Sequence, residues 1–105
     1  MTERVWVKAL EPDELPEGEA KMITIEQQEF AMTHVNGHYG ALDNHCPHQG
    51  APLGHGRILN GLLRCPLHAW CFDPLTGEMP GGASGVESFP VEVREDGVYI
   101  GMRKN

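Results

Sequence analysis

Turn-forming residue pairs recur at short intervals along this chain and limit it to short secondary-structure elements. The pairs Asn36-Gly37, Asn60-Gly61 and Asp96-Gly97 each lie between two apolar segments, and such pairs favour tight β-hairpins because both residue types tolerate a positive φ. The 105 residues include 13 Gly and 8 Pro, which suits an all-β domain better than a helical one. The sequence therefore predicts about eight to ten short antiparallel strands in a β-sandwich or small barrel.

The length of the chain fits one domain, residues 1–105, because a second domain of ordinary size would have no room. The strand pattern is interrupted after residue 43, where loops rich in Cys, His, Gly and Pro begin. We therefore expect a basal β part formed by residues 1–43 and 74–105. Residues 44–73 are expected to form an inserted subdomain that carries two loops.

The formal net charge of −7 constrains the partners of the protein. Nucleic acids and anionic membranes attract basic surfaces, so neither is expected as the main partner. Two interpretations of the acidity remain open. Either the protein docks on a basic protein surface, or the charge only keeps it soluble.

The start of the chain has no signal-peptide pattern, and no apolar run approaches the ~18 residues of a membrane span. We therefore expect a soluble, cytoplasmic protein. Its three cysteines are an odd number, and two of them lie close to histidines. In a cytosolic chain this pattern indicates metal binding and not a disulfide framework.

Two short Cys/His motifs carry the chemistry of the sequence. They are Cys46-Pro47-His48 and Cys65-Pro66-Leu67-His68, and 16 residues separate His48 from Cys65. Each motif offers one thiolate and one imidazole on a loop beside a hairpin, so the two loops can face each other. A structural zinc ion also accepts two Cys and two His. Common zinc fingers pair Cys with Cys and His with His, however, which makes zinc the less favoured ion here.

The motif pattern resembles that of the Rieske family, in which Cys-x-His is followed after about sixteen residues by Cys-x-x-His. Residues 64–73, with Thr76-Gly77, also resemble the second Rieske loop, and the resemblance extends over nearly the whole chain. It implies a Rieske-type β-sandwich or barrel with an inserted cluster-binding subdomain and one [2Fe–2S] cluster. By the same resemblance, Cys46 and Cys65 would hold the inner iron, and His48 and His68 the outer one.

The resemblance also implies roles for other loop residues. Backbone N–H groups of the loops would donate hydrogen bonds to the bridging sulfides, and four glycines would let the backbone approach closely: Gly50, Gly54, Gly81 and Gly82. An ordinary turn role for each of them remains the alternative. Cys71 is expected to be a structural, partly buried thiol, with an exposed thiol that links two molecules as the alternative.

Two departures distinguish the chain from high-potential Rieske proteins. Ala51 and Leu67 occupy the positions of the cysteines that join the two loops in those proteins, so that disulfide is excluded. Trp70 and Phe72 replace a Ser and a Tyr that donate hydrogen bonds to cluster sulfurs. Without these donors we expect a potential near the low end of the Rieske range, about −150 mV.

The resemblance implies a soluble Rieske ferredoxin that carries single electrons and is not itself an enzyme. It would connect a flavin reductase with a terminal oxygenase, such as an aromatic-ring dioxygenase of aromatic hydrocarbon catabolism, and a monomer is expected. One alternative is a Rieske-like small subunit of a larger oxidoreductase, such as assimilatory nitrite reductase. The other is a zinc-stabilised interaction module.

Overall fold

The computed structural model describes residues 4–47, 50–67, 70–81 and 85–103. Within these ranges the chain forms ten strands and one short 3-10 helix at Leu53–His55, and none of its helices has the length and apolarity to cross a membrane. The predicted all-β fold is thus confirmed. The strands are β1 (Arg4–Leu10), β2 (Glu19–Ile25), β3 (Gln28–Val35), β4 (His38–Asp43), β5 (Arg57–Leu59), β6 (Leu62–Arg64), β7 (Cys71–Phe72), β8 (Ser88–Phe89), β9 (Val91–Arg94) and β10 (Gly97–Arg103).

The described strands form three antiparallel sheets. One sheet has the order β1-β10-β9, a second has the order β2-β3-β4-β8, and a small third sheet has the order β5-β6-β7. The first predicted loop joins β4 to β5, and the second joins β6 to β7. The third sheet therefore links the two loops that carry the Cys/His motifs.

Two of the three predicted turn pairs form the turns of β-hairpins; at the third, Gly97 already begins β10 opposite Arg94, so Glu95 and Asp96 form the turn instead. Asn36-Gly37 has φ angles of 53° and 79°, and Asn60-Gly61 has 52° and 79°, as a two-residue type I′ turn requires. Glu26-Gln27 adopts the same left-handed conformation, with φ angles of 49° and 71°, between β2 and β3. Neither residue favours this conformation, so the extensive pairing of the two strands must impose the turn.

Strand β3 contributes to two separate hydrophobic cores because successive side chains point to opposite faces of a sheet. Phe30 and Met32 lie in one core, and Ala31 between them lies in the other. The first, which we call the basal core, contains Leu10, Leu15, Phe30, Met32, Ala41, Phe89, Val98, Ile100 and Met102. The second, the loop-end core, contains Ala31, Leu42, Cys46, Ala51, Leu53, Leu63, Cys65 and Phe72.

The β2-β3-β4-β8 sheet, which we call the central sheet, has small residues on its loop-end face that let the loops approach its backbone. A Cβ atom at Gly40 would lie 2.1 Å from the carbonyl oxygen of Pro74. A Cβ atom at Gly54, in the first loop, would lie 2.6 Å from the backbone nitrogen of Met22 on β2. Both distances are shorter than any real contact, so both positions require glycine. The loops are thus held directly against the sheet.

The segment after β7 also packs against the loop-end core. Asp73 organises its turn, since Asp73 Oδ1 accepts hydrogen bonds from the backbone N–H groups of Leu75 (2.8 Å) and Thr76 (3.2 Å). Further along, Met79 and Val86 contact the loop-end core. Residues beyond 73 therefore share the packing of the loops, and the division of the chain at residues 43 and 73 stays a prediction.

Candidate metal centre

The first Cys/His loop is closed at its base by backbone hydrogen bonds. The N–H of Cys46 donates to the carbonyl oxygen of Ala51 (2.9 Å), and the N–H of Gly50 donates to the carbonyl oxygen of Cys46 (2.7 Å). These bonds hold Gly50 and Ala51 beside Cys46, which lies at the base of the loop. His48 belongs to this loop by its position in the sequence, but it lies outside the described residues, as does Gln49.

The second loop is closed in the same way. The N–H of Cys65 donates to the carbonyl oxygen of Trp70 (2.9 Å), five residues further on, as in the first loop. His68 belongs to this loop by sequence, and it too lies outside the described residues. The two motifs thus have equivalent supports, each with a cysteine at the start of a five-residue closure.

The fold brings the two cysteines into one buried cluster. Cys46 is 1% exposed and Cys65 is 2% exposed, and both belong to the loop-end core. All three cysteines of the chain carry thiols. A buried thiolate is costly unless a cation neutralises it, and iron does so through a direct bond. Two sheltered thiols at the bases of two equivalent loops therefore fit the cysteine half of a Rieske ligand set.

The geometry of the complete ligand set is not contained in the described residues. Within residues 4–47, 50–67, 70–81 and 85–103, no group of three or more His, Cys, Asp and Glu side chains is placed to hold a metal ion. The two histidines of the predicted set lie outside these ranges. The four-ligand assignment to Cys46, His48, Cys65 and His68 therefore remains a prediction.

Asn44 fixes the first loop to the central sheet, a role that the sequence did not reveal. Its side chain is fully buried, and Asn44 Oδ1 accepts a hydrogen bond from the N–H of Gly54 (2.7 Å). Its backbone carbonyl oxygen accepts from the N–H of Leu53 (2.7 Å), and its N–H donates to Glu29 on β3 (3.2 Å). A single asparagine before a cysteine has no recognisable sequence signature, so only the structure shows this function.

Hydrogen bonds within the protein occupy the amides of two loop glycines. The N–H of Gly50 donates to Cys46, and that of Gly54 donates to Asn44, so both amides serve the protein and not a bridging sulfide. Gly81 has a φ of 73° with open space around its Cα. It is an ordinary turn position in this respect, and Gly82 lies outside the described residues.

His45, adjacent to Cys46, lies on the surface in the described structure. Its side chain is 57% exposed and contacts two carboxylates. His45 Nδ1 lies 2.9 Å from Asp43 Oδ1, and His45 Nε2 lies 3.2 Å from Glu29 Oε1. These contacts hold the ring beside the carboxylates of β3 and β4 and agree with a motif that uses His48 instead.

The residues of the second loop divide between the core and the surface. Phe72 is fully buried in the loop-end core, whereas Leu67 is 64% exposed at the loop. Cys71 is half-buried on β7, as the prediction of a partly buried thiol requires. An exposed leucine near a buried cysteine leaves an apolar contact point on the surface close to the candidate centre.

Comparisons with known proteins extend this description. Residues 5–90 match the family model described as the Rieske [2Fe-2S] domain. The chain is 33% identical over 104 residues to the ferredoxin component of the naphthalene 1,2-dioxygenase system of Pseudomonas aeruginosa, covering 97% of this chain and 99% of that protein.

Two further matches are to longer chains. The chain is 31% identical over 93 residues to human apoptosis-inducing factor 3, which covers 87% of this chain but only 15% of that protein. The crystal structure of dicamba monooxygenase with non-heme iron and dicamba superposes with a TM-score of 0.83 at 34% identity. That match covers 91% of this chain and 32% of the monooxygenase. The chain therefore spans only a small part of some of its relatives.

Proposed function

Because the chain belongs to the Rieske [2Fe–2S] domain family, we propose that it is a soluble Rieske ferredoxin that carries single electrons. The reductant would be a flavin reductase, and the acceptor would be the terminal component of an oxygenase that acts on aromatic compounds. The protein would act in the cytoplasm as a monomer and would catalyse no reaction of its own.

The observation that carries this proposal is the end-to-end similarity to a ferredoxin component. The alignment with the Pseudomonas aeruginosa protein covers 97% of this chain and 99% of the relative. Matches to domains within larger enzymes leave most of the relative uncovered, as for dicamba monooxygenase. A chain that corresponds to a whole electron-transfer component is best interpreted as that component.

The protein's own residues would supply the ligands and the environment. Cys46 and Cys65 would bind one iron through thiolates buried in the loop-end core, and His48 and His68 would bind the other through imidazole nitrogens. The bound cluster supplies reversible one-electron chemistry, at a potential raised by its two neutral ligands. The surrounding core excludes water from the thiolates, while Pro47 and Leu67 at the loops are exposed and would lie where a partner approaches. The low potential expected from Trp70 and Phe72 stays a prediction.

Spectroscopy of ligand variants tests the proposal. The purified protein should be red-brown and give the EPR signal of a reduced Rieske cluster. Cys46→Ser, Cys65→Ser, His48→Ala and His68→Ala should each abolish that signal. The matched controls Cys71→Ser and His45→Ala should keep it. A colourless protein that contains zinc, or loss of the signal in His45→Ala but not in His48→Ala, would contradict the assignment.

A fixed subunit of a larger oxidoreductase is the second candidate, because similar domains occur within longer chains. Gel filtration of a native extract separates the two functions. A carrier should elute as a monomer of 11.6 kDa and become reduced by NADH in the presence of a flavin reductase. Co-elution with a large enzyme through all steps would favour the fixed subunit.

A further inference from the structure

The charges of this chain are strongly segregated along the sequence. Residues 44–72 contain two arginines and no Asp or Glu, whereas the remaining residues contain six Lys and Arg against fifteen Asp and Glu. The loop segment therefore has a formal charge of +2, and the rest of the chain has −9. The net charge of −7 conceals a basic segment that includes the loops of the candidate metal centre.

The two arginines of this segment face each other. Arg57 on β5 and Arg64 on β6 are direct cross-strand partners, and both are exposed. Like charges directly opposite each other destabilise a pair of strands, so the hairpin gains no stability from having both. The cross-strand arginine pair is therefore better explained by binding to another molecule than by stability of the fold.

The two arginines also differ in their ion pairing from most of the other Lys and Arg residues that the structure describes, although Arg4 likewise has no carboxylate partner and instead donates to the carbonyl oxygen of Gly101. Four basic residues elsewhere lie within ion-pair distance of a glutamate: Lys8, Lys21, Arg94 and Arg103. Within the part of the chain that the structure describes, neither Arg57 nor Arg64 has such a carboxylate partner. Their guanidinium groups are thus available to a carboxylate from another molecule.

A groove of about 500 Å³ connects these arginines with the second Cys/His loop. Its lining includes His55, Arg57, Arg64, Cys65, Pro66 and Leu67. Leu67 is 64% exposed, and Leu59, also in the lining, is 40% exposed. The groove thus combines paired positive charges with apolar side chains, immediately beside one of the proposed iron ligands.

We propose that this groove is the docking site for an acidic segment of the redox partner protein. Asp or Glu side chains of the partner bind Arg57 and Arg64, and an apolar partner residue packs against Leu67. The mixture of charge and apolar surface fits a protein segment better than a free inorganic anion. This inference rests on the proposed function. It also reverses the expectation from net charge, under which the partner surface would be basic.

Small inorganic oxidants measure the sign of the local charge without any partner protein. The reduced protein gives one electron to hexacyanoferrate(III), an anion, or to hexaammineruthenium(III), a cation, and the metal in each oxidant is reduced from the trivalent to the divalent state. A local basic groove predicts that stopped-flow oxidation by the anion slows as salt is added, and that oxidation by the cation accelerates. The overall charge of −7 predicts the opposite signs, and observing those would overturn the proposal.

Substitutions of arginine by glutamine show which charges are responsible for the salt dependence of the oxidation rate. The double variant Arg57→Gln/Arg64→Gln should lower the low-salt rate with hexacyanoferrate(III) by about tenfold. The double variant Arg94→Gln/Arg103→Gln, which removes two exposed arginines from β9 and β10, is the matched control and should change the rate by less than about twofold. An equal effect of both double variants would mean that only total charge matters, and would overturn the proposal.

A hexaglutamate peptide tests recognition of an acidic segment. It should inhibit the reaction of wild-type protein with hexacyanoferrate(III) and lose this effect in the double variant, while a hexalysine peptide should have none. Inhibition that persists in the double variant contradicts the site. Failure of the proposed function is distinguishable from failure of this inference. If the proposed function is wrong, the protein has no Rieske EPR signal and reacts with neither oxidant. If only this inference is wrong, the EPR signal is normal but the predicted salt dependence with the two oxidants is absent.

Discussion

The two hydrophobic cores lie on opposite faces of one sheet but differ in the kinds of residues that form them. The basal core is made of strand side chains, with Phe30 and Phe89 in edge-to-face contact at 5.0 Å. The loop-end core includes two thiols and the bases of two loops. Regular strand pairing maintains the first core by itself. The second encloses the sulfur atoms of the two proposed cysteine ligands, so we expect its stability to depend on the cluster that they would bind.

Removal of iron should give the largest difference between the cores. In the apo protein we expect amide protection in residues 44–85 to fall by about two orders of magnitude, which corresponds to about 3 kcal/mol of local stability. Protection in β1, β3 and β10 should persist. Hydrogen exchange followed by mass spectrometry, before and after iron removal, measures both regions in one sample. An equal loss of protection in both would abolish the distinction.

Truncation of one buried phenylalanine in each core should sharpen the comparison. Phe30 and Phe72 are both fully buried. In the apo protein, Phe30→Ala should lower the free energy of unfolding by about 3–5 kcal/mol, the usual cost of such a cavity. Phe72→Ala should lower it by about 1 kcal/mol or less, because its core is already loosened. Urea unfolding followed by circular dichroism tests this, and equal costs would contradict it.

Two glycines of the first loop should respond differently to a methyl group. Gly54→Ala places its Cβ 2.6 Å from the backbone of Met22, so the loop must move away from β2 at a cost of about 1–3 kcal/mol. Gly50→Ala meets nothing within 4 Å and costs only about 1 kcal/mol through its positive φ.

Thermal unfolding of the iron-loaded variants, followed by the visible absorption of the cluster, compares the two glycines directly. Gly54→Ala should unfold at the lower temperature. The opposite order would mean that the first loop is not held against the sheet by close backbone contact.

The smallest effect is expected at the turn between β3 and β4, far along the sheet from the loops. Glu17 accepts hydrogen bonds from the N–H groups of Gly37 and Asn36 (2.7 Å each), and these bonds lower the pKa of its carboxyl below the ordinary 4.5. A lowered pKa in the folded state stabilises the protein above the unfolded pKa, and this contribution disappears as the pH falls through the folded value.

The apo variant Glu17→Gln should therefore melt slightly below wild type at pH 7, and the difference should vanish at an acidic pH below the folded-state pKa of Glu17. Melting curves at both pH values provide the measurement. The iron-loaded variant should keep a normal visible spectrum at pH 7. A change in that spectrum would show that the two ends of the central sheet are coupled.

The sequence predicted the features that depend on local chemistry. Asn36-Gly37 and Asn60-Gly61 marked real hairpins because they tolerate a positive φ, and the all-β Rieske fold is confirmed by the structure and the family match. Features that depend on tertiary contact escaped prediction. Glu26-Gln27 has no turn signature and is set by strand pairing.

Within the candidate site the same distinction holds. The burial of Cys46 and Cys65 together agrees with the predicted ligand pairs, while the roles of His48 and His68 stay predictions. The hydrogen bond from the amide of Gly54 to Asn44 escaped prediction, because a sequence does not show that the two residues lie side by side. The facing arginines were hidden because a net charge averages over the whole surface.

The glycine at position 40 and the alanine at position 31 give the two faces of the central sheet opposite tolerances to substitution. On the basal face, Phe30 and Met32 fill space, so smaller replacements should do the damage. On the loop face, Ala31 and Gly40 are limited by neighbouring atoms, so larger replacements should do it. Among homologous chains, the side-chain volumes that are accepted should then differ between the two faces. The loop-end face should keep small residues even where the sequence of the loops themselves changes.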